Sequence, residues 1–360
     1  MITKYNEIIN QIDLINPVKY SRDRNFIDGS TSRLSSYISR GVISTKYVYS
    51  YLINKGYTFN SIQKFVQEMV WREFWQLTWL NKDINRDLRN KQKDVVHFGM
   101  PKLVFDYSTK IKAIDHAIKK LYETGYMHNH MRMYVASLIT NVAKYHWKTP
   151  AKWMYYYLSD ADWGSNALSW QWVCGTNSNK KYYANQDNIN KFTKSKQHNT
   201  ILDKTYDDLL NTNGSGIFSD LCKIDFTLKL PKSDIFLNEP QKSICIYNYY
   251  NLDPNWRKDQ DVHRILLVEP SIFKKYPICN QSMNFMLKLS KNITDIKIFV
   301  GEFNELPLNG SKVYFKEHPL NYNLIGFEDQ REWICRPPKN FTTFFKHWHY
   351  VMKEIAFKKI

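Results

Sequence analysis

The stretch between Gly125 and Trp172 constrains this chain more than any other feature of the sequence. It reads GYMHNHMRMYVAS near its start and LSDADWGSNALSWQW at its end. Asn, Arg and Asp residues are interleaved here with tryptophans on segments of helical period, a combination that core packing alone does not require. The pattern predicts a helical domain that encloses a polar and aromatic cofactor cavity.

Positive charge is concentrated in the first part of the chain, whose 360 residues suit two domains. Residues 1–200 carry 29 Lys and Arg against 15 Asp and Glu, a net charge of +14, whereas residues 201–360 carry 22 against 19, a net charge of +3. This asymmetry predicts a polyanion-binding surface on the first half. A solvated, lysine-rich surface without a partner is the plainer alternative.

The five cysteines are scattered and form no CxxC pair, so we expect neither a disulfide framework nor a zinc or iron–sulfur site, and no metal. A reducing, cytoplasmic location fits that usage. The N-terminus lacks an apolar segment and no run approaches 18 apolar residues, so neither a signal peptide nor a membrane span is predicted. Nothing indicates an obligate protein partner, and we expect a monomer.

Helical periodicity runs through almost all of the first 190 residues. Ser44 is a predicted N-cap of a helix that ends at Gly56, and Asn60 opens a longer amphipathic helix. Further helices are predicted at about 109–124, 128–147 and 150–159. This part of the chain therefore reads as one helical domain.

The composition changes after residue 190. Up to about residue 240 the sequence is polar and is interrupted by turn-forming residues. Beyond it, the short runs KSICIYNYYN, RILLVEP and DIKIFVGEF alternate with the helix-like segments SMNFMLKLSKN and NFTTFFKHWHYVMKEIAFKK. Strands that alternate with helices predict a parallel sheet. The predicted fold class is α + α/β, with a helical domain at 1–190, a linker or wrapping segment at 191–240 and a small α/β domain at 241–360.

Several separate motifs follow one another in a fixed order through the helical part. They are YSRDR at 20–24, TSRLS at 31–35, EMVWREF at 68–74, GYMHNHMRM at 125–133, DADWGSN at 160–166 and WQW at 170–172. In order and spacing, this series resembles the FAD-binding helical domain of the DNA photolyase/cryptochrome family. The resemblance covers about residues 20–190 and implies an all-helical fold with FAD as cofactor.

The cofactor residues that the resemblance implies also make chemical sense. Residues 31–35 place hydroxyls and a guanidinium just before a predicted helix start. The free N–H groups of a helix N-terminus can bind a diphosphate. The alternative is a simple Ser/Thr N-cap. If both were buried, Arg132 and Asp160 would be expected to form an ion pair, because a buried charge needs a partner of opposite charge. The full implied set is Tyr20, Thr31, Ser32, Arg33, Leu34, Ser35, Phe65, Arg72, Asn129, Arg132, Asp160, Asp162 and Asn166.

Asn166 separates repair from signalling, since repair enzymes of the family carry Asn facing flavin N5 where signalling cryptochromes tend to carry Asp or Cys. The resemblance also implies catalytic roles for Glu68, which binds the base edge, and for Trp170 and Trp147, which relay electrons to the flavin. The outer tryptophan of the family's relay is not found near His97 and Phe98, so three alternatives stay open: a relay that ends on a tyrosine, one that uses Trp75 or Trp79, and inefficient photoreduction.

The substrate residues are implied in the same way. A damaged dinucleotide that leaves the duplex needs stacking surfaces, a few hydrogen bonds and a cationic rim. Many repair enzymes carry Arg where this chain has His130, which predicts a weaker or more pH-sensitive DNA contact there. The implied set is Arg24, Glu68, Trp71, Asn129, His130, Met133 and Trp172.

These observations predict a light-driven DNA repair enzyme, a carbon–carbon lyase. It would reverse cyclobutane pyrimidine dimers by electron transfer from excited reduced FAD to the flipped-out lesion, with dimer-containing DNA as partner. A non-repairing cryptochrome-type receptor, repair of (6-4) photoproducts and a flavin-free nucleic-acid-binding module are the alternatives. The α/β segment follows the helical domain here, whereas it precedes that domain in the family, as if the order were permuted. No antenna chromophore is assigned.

Overall fold

Helices dominate the chain before residue 212 in the computed structural model, which describes residues 1–234 and 242–358. Two short strands pair antiparallel, β1 (Met100–Pro101) within this region and β2 (Leu221–Cys222) after it. The helices are α1 (Tyr5–Asp13), α2 (Pro17–Asp23), α3 (Ser35–Ser39), α4 (Thr45–Asn54), α5 (Phe59–Asn81), α6 (Lys102–Phe105), α7 (Lys112–Thr124), α8 (Asn129–Ser137), α9 (Lys148–Tyr157), α10 (Trp163–Cys174), α11 (Gln186–Thr193) and α12 (Tyr206–Asn211).

The helix boundaries follow local signals in the sequence. Ser44 caps α4, because its side chain accepts a hydrogen bond from the Tyr47 N–H, as predicted. Gly125 ends α7 with a φ of +68°, a left-handed conformation that favours glycine. A Cβ at Gly125 would also lie 2.1 Å from Ser159 Oγ, so no larger residue fits there without rearrangement.

The predicted helix at 128–147 is shorter than expected. Helix α8 ends at Ser137 and continues as a π-helical turn over Leu138–Val142. Lys144 then takes a left-handed conformation with a φ of +59°, which a continuous helix does not allow. The prediction extended too far because apolar periodicity does not reveal a change from α to π winding.

Five parallel strands form the sheet of the C-terminal part, and the predicted parallel α/β arrangement is confirmed. Their spatial order is β5-β4-β3-β6-β7, the doubly wound order of Rossmann-like sheets. The elements are β3 (Ile244–Tyr247), β4 (His263–Val268), α13 (Pro270–Lys275), α14 (Asn280–Ser290), β5 (Lys297–Val300), β6 (Val313–Lys316), β7 (Phe327–Asp329) and α15 (Phe344–Lys358).

The sheet core consists of aliphatic and aromatic side chains from the central strands. Ile246 is paired with Ile265 of β4 and with Phe315 of β6, and all three side chains are buried. The predicted strands became β3, β4 and β5, whereas β6 and β7 were not predicted. Strand β7 is mostly exposed, so its short sequence FED lacks the alternation that indicates a strand.

The chain divides into two compact units. The first contains Met1–Ser21, Ser32–Asn81 and Thr227–Ile360, and the second contains Arg22–Thr31 and Lys82–Phe226. The predicted boundaries at 190 and 240 do not coincide with this division. The division into compact units does not test them, so they remain a prediction. Residues 235–241 lie outside the described residues, and they include the end of the predicted linker and the first residue of the predicted α/β domain.

In the first unit, N-terminal segments pack directly on the sheet region. The Tyr5 N–H donates to Asn292 Oδ1 over 2.8 Å. The Arg40 guanidinium lies 3.3 Å from the centroid of the Tyr249 ring, and Arg40 O accepts a 2.9 Å hydrogen bond from Leu252 N. Over residues 1–234 and 242–358, no helix is long and apolar enough to cross a membrane.

Candidate functional site

Arg132 and Asp160 form the ion pair that the sequence led us to expect, within the second unit. Arg132 Nη2 lies 3.1 Å from Asp160 Oδ1 and 3.2 Å from Oδ2. The Arg132 Nε–H donates to Met127 O over 2.9 Å, which fixes the plane of the guanidinium. Because the Asp160 side chain is only 7% exposed and that of Arg132 22%, the pair is largely shielded from water.

Asp162 and Asn166 stand on the first turn of α10, which packs on α8 and α9. Asp162 is the N-cap, and its Oδ1 accepts a 2.7 Å hydrogen bond from the Ser165 N–H. The Asn166 Nδ2–H donates to Ala151 O of α9 over 2.8 Å. Both side chains are buried, and these bonds hold the carboxylate and the amide in fixed orientations.

His130, a rim residue that the family resemblance implies, packs against aromatic rings. The ring is 4.6 Å from the ring centroids of both Tyr134 and Phe192, and Nδ1 is 2.9 Å from Asn25 O. Burial lowers the pKa of His130, and the positive charge of Arg24 acts in the same direction. At neutral pH we therefore expect a neutral ring in place of a cationic rim residue.

The remaining predicted substrate residues of the second unit reach solvent to different degrees. Trp172 is 36% exposed, and its ring lies 5.5 Å from that of Tyr182 at an interplanar angle of 32°. Asn129, the first residue of α8, is exposed, and Met133 is half-buried one turn later. Trp172 is therefore an aromatic side chain that is partly open to solvent.

The two predicted relay tryptophans are buried in the same unit. The Trp147 Nε1–H donates to Asp87 Oδ1 over 2.7 Å, and its backbone N–H donates to Gln92 Oε1 over 3.0 Å. The Trp147 ring is 6.4 Å from that of Trp163. Trp170 is 2% exposed, and among the described residues its Nε1–H has no hydrogen-bond acceptor.

Most of the other predicted cofactor residues lie in the first unit. The Tyr20 ring meets the buried Phe65 ring edge to face, with centroids 5.0 Å apart. Arg33 has a left-handed φ of +56°, and Ser32 Oγ accepts a 3.4 Å hydrogen bond from Leu34 N. Leu34 is buried, Ser35 begins α3, and Thr31, at the end of a segment of the second unit, is half-buried.

Helix α5 carries Glu68, Trp71 and Arg72 in the first unit. Lys64 Nζ lies 3.2 Å from Glu68 Oε1, one helical turn away, and Arg72 is half-buried. The Trp71 ring is stacked on the ring of Phe344, with centroids 3.5 Å apart and planes at 8°. The face of the predicted lesion-binding tryptophan is therefore in contact with α15 of the same chain.

The sequence did not reveal four residues that contact or adjoin the predicted set: Glu73, Asp87, Tyr182 and Phe344. Glu73 is buried next to Arg72, and its Oε1 accepts hydrogen bonds from the Thr45 hydroxyl and from the Ile334 N–H, the latter over 2.8 Å. For Phe344, the only signal in the sequence was the high content of aromatic residues in FTTFFKHWHYV, the segment that contains it. Within the parts of the chain described, no cluster of three His, Cys, Asp or Glu could hold a metal ion.

Part of this chain is similar to known proteins. Residues 65–204 match the model described as the FAD binding domain of DNA photolyase. The deoxyribodipyrimidine photo-lyase of Vibrio cholerae is 29% identical over 167 residues, which cover 42% of this chain and 34% of that protein. The enzyme of the same name from Agrobacterium fabrum is 31% identical over 165 residues, with coverages of 44% and 34%.

Among solved structures, a bacterial class III photolyase from Agrobacterium tumefaciens is similar at 28% identity and a TM-score of 0.41. That similarity covers 48% of this chain and 38% of the photolyase. The matched region spans about a third of the length of the curated relatives. Over residues 65–204 this chain is thus similar to the FAD-binding domain of DNA photolyases.

Proposed function

We propose that this chain binds FAD in its helical region and uses light to reverse cyclobutane pyrimidine dimers in DNA. The observation that carries the proposal is the group formed by the Arg132–Asp160 ion pair, Asp162 and Asn166. These side chains stand on or beside α8 and α10, within residues 65–204, and hydrogen bonds fix all of them. Oriented buried polar groups of this kind are costly for folding alone and typical of a cofactor site.

The residues fit a flavin. A flavin offers hydrogen-bonding ring atoms and a diphosphate, and the polar groups here are a guanidinium that donates, two carboxylates that accept and an amide that does both. Three buried polar atoms in the same stretch, Ser159 Oγ, Ser165 Oγ and Trp170 Nε1, have no hydrogen-bond partner among the described residues. A polar ligand would give such atoms partners that the protein does not supply.

Bound FAD would supply the absorption of light and the electron that cleaves the dimer. The protein's own contribution is binding and orientation. Arg132, held by Asp160 and by Met127 O, places a fixed positive charge at α8, and Asn166, held by Ala151 O, presents its amide from α10. Preoriented charges and dipoles need no reorganisation when charge moves in the site.

Damaged DNA would be recruited by charge and then held by stacking. The net charge of +14 in residues 1–200 suits the phosphate backbone. Trp172, exposed by 36%, offers a surface for a flipped base. Arg24 and His130 contribute at the rim, where the lowered pKa of His130 makes a phosphate contact weak at neutral pH.

A second candidate is a non-repairing receptor of cryptochrome type. The observation that favours it is the stacking of Phe344 on Trp71, because a covered tryptophan cannot hold a base at the same time. The packed, neutral His130 gives no comparable support to repair of (6-4) photoproducts, a reaction that relies on an available pocket histidine.

The three activities are distinguished by one assay with defined lesions. Flavin-loaded protein is mixed with oligonucleotides that contain a single cyclobutane dimer or a single (6-4) product, and repaired strands are quantified by chromatography after blue light or darkness. We expect restored thymines only from the cyclobutane dimer and only in light. Restoration of the (6-4) lesion would show that the protein repairs (6-4) photoproducts instead of cyclobutane dimers. Flavin-loaded protein that repairs neither lesion would favour the non-repairing receptor.

A further inference from the structure

An aromatic stack encloses Trp71 within the first unit. Phe344, the first residue of α15, lies parallel to the Trp71 ring, with centroids 3.5 Å apart and planes at 8°. Trp75 lies 4.9 Å from Trp71 at an angle of 37°. Aromatic side chains generally prefer offset or edge-to-face pairs, whereas a near-parallel stack at this spacing is the arrangement of a nucleobase on a tryptophan.

The contacts of α15 explain how Phe344 is held. Trp348, one turn later, is parallel to Phe344 at 6.4 Å and contacts the Phe59 ring at 6.3 Å. His347 lies 5.8 Å from the ring of Phe74 on α5. Phe344, His347 and Trp348 are all buried, so α15 packs on α5 through one face.

That packing contains an uncompensated polar group. His347 is 0% exposed, and neither of its ring nitrogens has a hydrogen-bond partner within residues 1–234 and 242–358. A buried imidazole without partners weakens the packing of the helix that carries it. Helix α15 is therefore attached to α5 less firmly than an all-apolar face would be.

We infer that Phe344 is a specificity-determining residue that fills the stacking face of Trp71 in the DNA-free protein and yields this face to a flipped base. The inference rests on the proposed function, since it takes Trp71 as a lesion contact. A base must then displace Phe344 before it stacks, which lowers the affinity for any flipped base by the cost of this exchange. Lesion bases, already weakly paired in the duplex, accomplish this exchange more readily than intact ones.

The first test is a pair of substitutions on α15. Phe344→Ala removes the competing ring, and we expect it to bind a dimer-containing oligonucleotide about two- to tenfold more tightly than the parent, the range that one aromatic pair supports. Phe357→Ala on the same helix is the matched control, because Phe357 is 84% exposed, and we expect unchanged affinity. Fluorescence anisotropy at fixed salt measures both.

A second variant guards against loss of folding. Phe344→Leu retains an apolar side chain against Phe74 but loses the flat ring, so it should shift the affinity in the same direction with a melting temperature closer to that of the parent. Equal or weaker dimer binding by both Phe344 variants would overturn the inference, since Phe344 would then be neutral or part of the site.

Hydrogen exchange tests the displacement itself. In full-length protein, addition of the dimer oligonucleotide should reduce amide protection over residues 344–358, because α15 leaves α5. Unchanged or increased protection overturns the inference even if dimers are bound. If instead neither the parent nor the Phe344 variants prefer dimer-containing over undamaged DNA, the proposed function itself fails, and the inference falls with it.

Discussion

Glu73 is a buried carboxyl whose hydrogen bonds link distant segments of the first unit and whose pKa is shifted by burial. Its Oε1 accepts hydrogen bonds from the Thr45 hydroxyl and the Ile334 N–H, while Oε2 has no hydrogen bond among the described residues. Burial raises the pKa of Glu73 to about 7, and the hydrogen bonds and the charge of Arg331 only partly oppose this effect. The network joins α4, α5 and the segment around Ile334 within the first unit.

This raised pKa predicts a pH dependence of stability. Between the unperturbed value of 4.5 and about 7, the folded state binds more protons at Glu73 than the unfolded state does. The free energy of unfolding should therefore fall as pH rises through that window, by about 3 kcal/mol at most. Glu73→Gln removes this contribution, so its unfolding free energy should fall less steeply than that of the parent.

Urea denaturation at both ends of the window measures the effect. Glu123→Gln serves as the control, since Glu123 is 59% exposed and 4.0 Å from Lys119, and it should retain the parental slope. A Glu73→Gln variant with the same pH slope as the parent would show that Glu73 does not titrate in this range.

The Arg132–Asp160 pair allows a prediction that links stability to the cofactor. Asp160→Asn keeps the shape of the side chain but leaves the guanidinium without its counter-charge, which should cost about 1–3 kcal/mol and reduce the flavin bound per protein. Asp94→Asn is the matched control, because Asp94 is 64% exposed in its pair with Lys181, and it should cost less than about 1 kcal/mol. Thermal unfolding and the flavin absorbance of purified protein provide the readouts. Equal flavin content in both variants would contradict the assignment.

At this scale the sequence predicted residues better than it predicted their partners. Arg132 and Asp160, 28 positions apart, were expected to pair because the motifs around them implied it. Glu73 lies in an equally clear motif, yet its partner Ile334 is 261 positions away. No local pattern encodes a contact of that separation, and the same applies to Phe344 on Trp71.

Helix α4 illustrates what local signals determine at the level of elements. Ser44 Oγ accepts from the Tyr47 N–H over 2.9 Å, and it also donates to Glu332 Oε2 over 2.6 Å. Ser44→Ala should cost about 1 kcal/mol of unfolding free energy, because an N-terminal N–H loses its acceptor. Ser44→Thr retains the hydroxyl and should recover most of that loss in the same denaturation assay. An alanine variant as stable as the parent would show that water replaces the cap.

Elements with strong periodicity were predicted well, and weakly patterned ones were not. Helices α4, α5, α7 and α9 lie close to their predicted ranges because each repeats apolar residues three and four apart. The predicted end of α8 was wrong, because the change to π winding at Leu138 does not alter the apolar periodicity of the sequence. Strands β6 and β7 are four and three residues long, and their place in the sheet depends on pairing with β3 and with each other.

At the scale of the whole molecule, the chain order differs from the order that the family resemblance led us to expect. The helical region comes first, and a sheet of order β5-β4-β3-β6-β7 follows it. The sequence predicted both parts correctly as fold classes. Its linear boundaries could not anticipate that residues 32–81 group with the sheet in one compact unit, because such grouping depends on contacts between distant segments, as between Arg40 and Tyr249.

Charge at the same scale predicts how DNA binding responds to salt. With +14 in residues 1–200, affinity for any DNA should fall by about a hundredfold between about 50 and about 200 mM salt, as expected for roughly four phosphate contacts. The ratio of affinities for dimer-containing and undamaged DNA should change little, since base contacts are less screened. Anisotropy titrations with both oligonucleotides test this, and a salt-independent affinity would exclude the basic half as the binding surface.

The central claim is that light drives this protein to restore pyrimidines. The most direct measurement follows the ultraviolet absorbance of UV-irradiated oligothymidine mixed with flavin-loaded protein under blue light, because splitting a cyclobutane dimer regenerates two absorbing thymines. We predict a rise that stops when the light is turned off and resumes when it returns, and that is much slower for Asp160→Asn. A flavin-loaded protein that binds the oligonucleotide but leaves its absorbance unchanged in light would contradict the account.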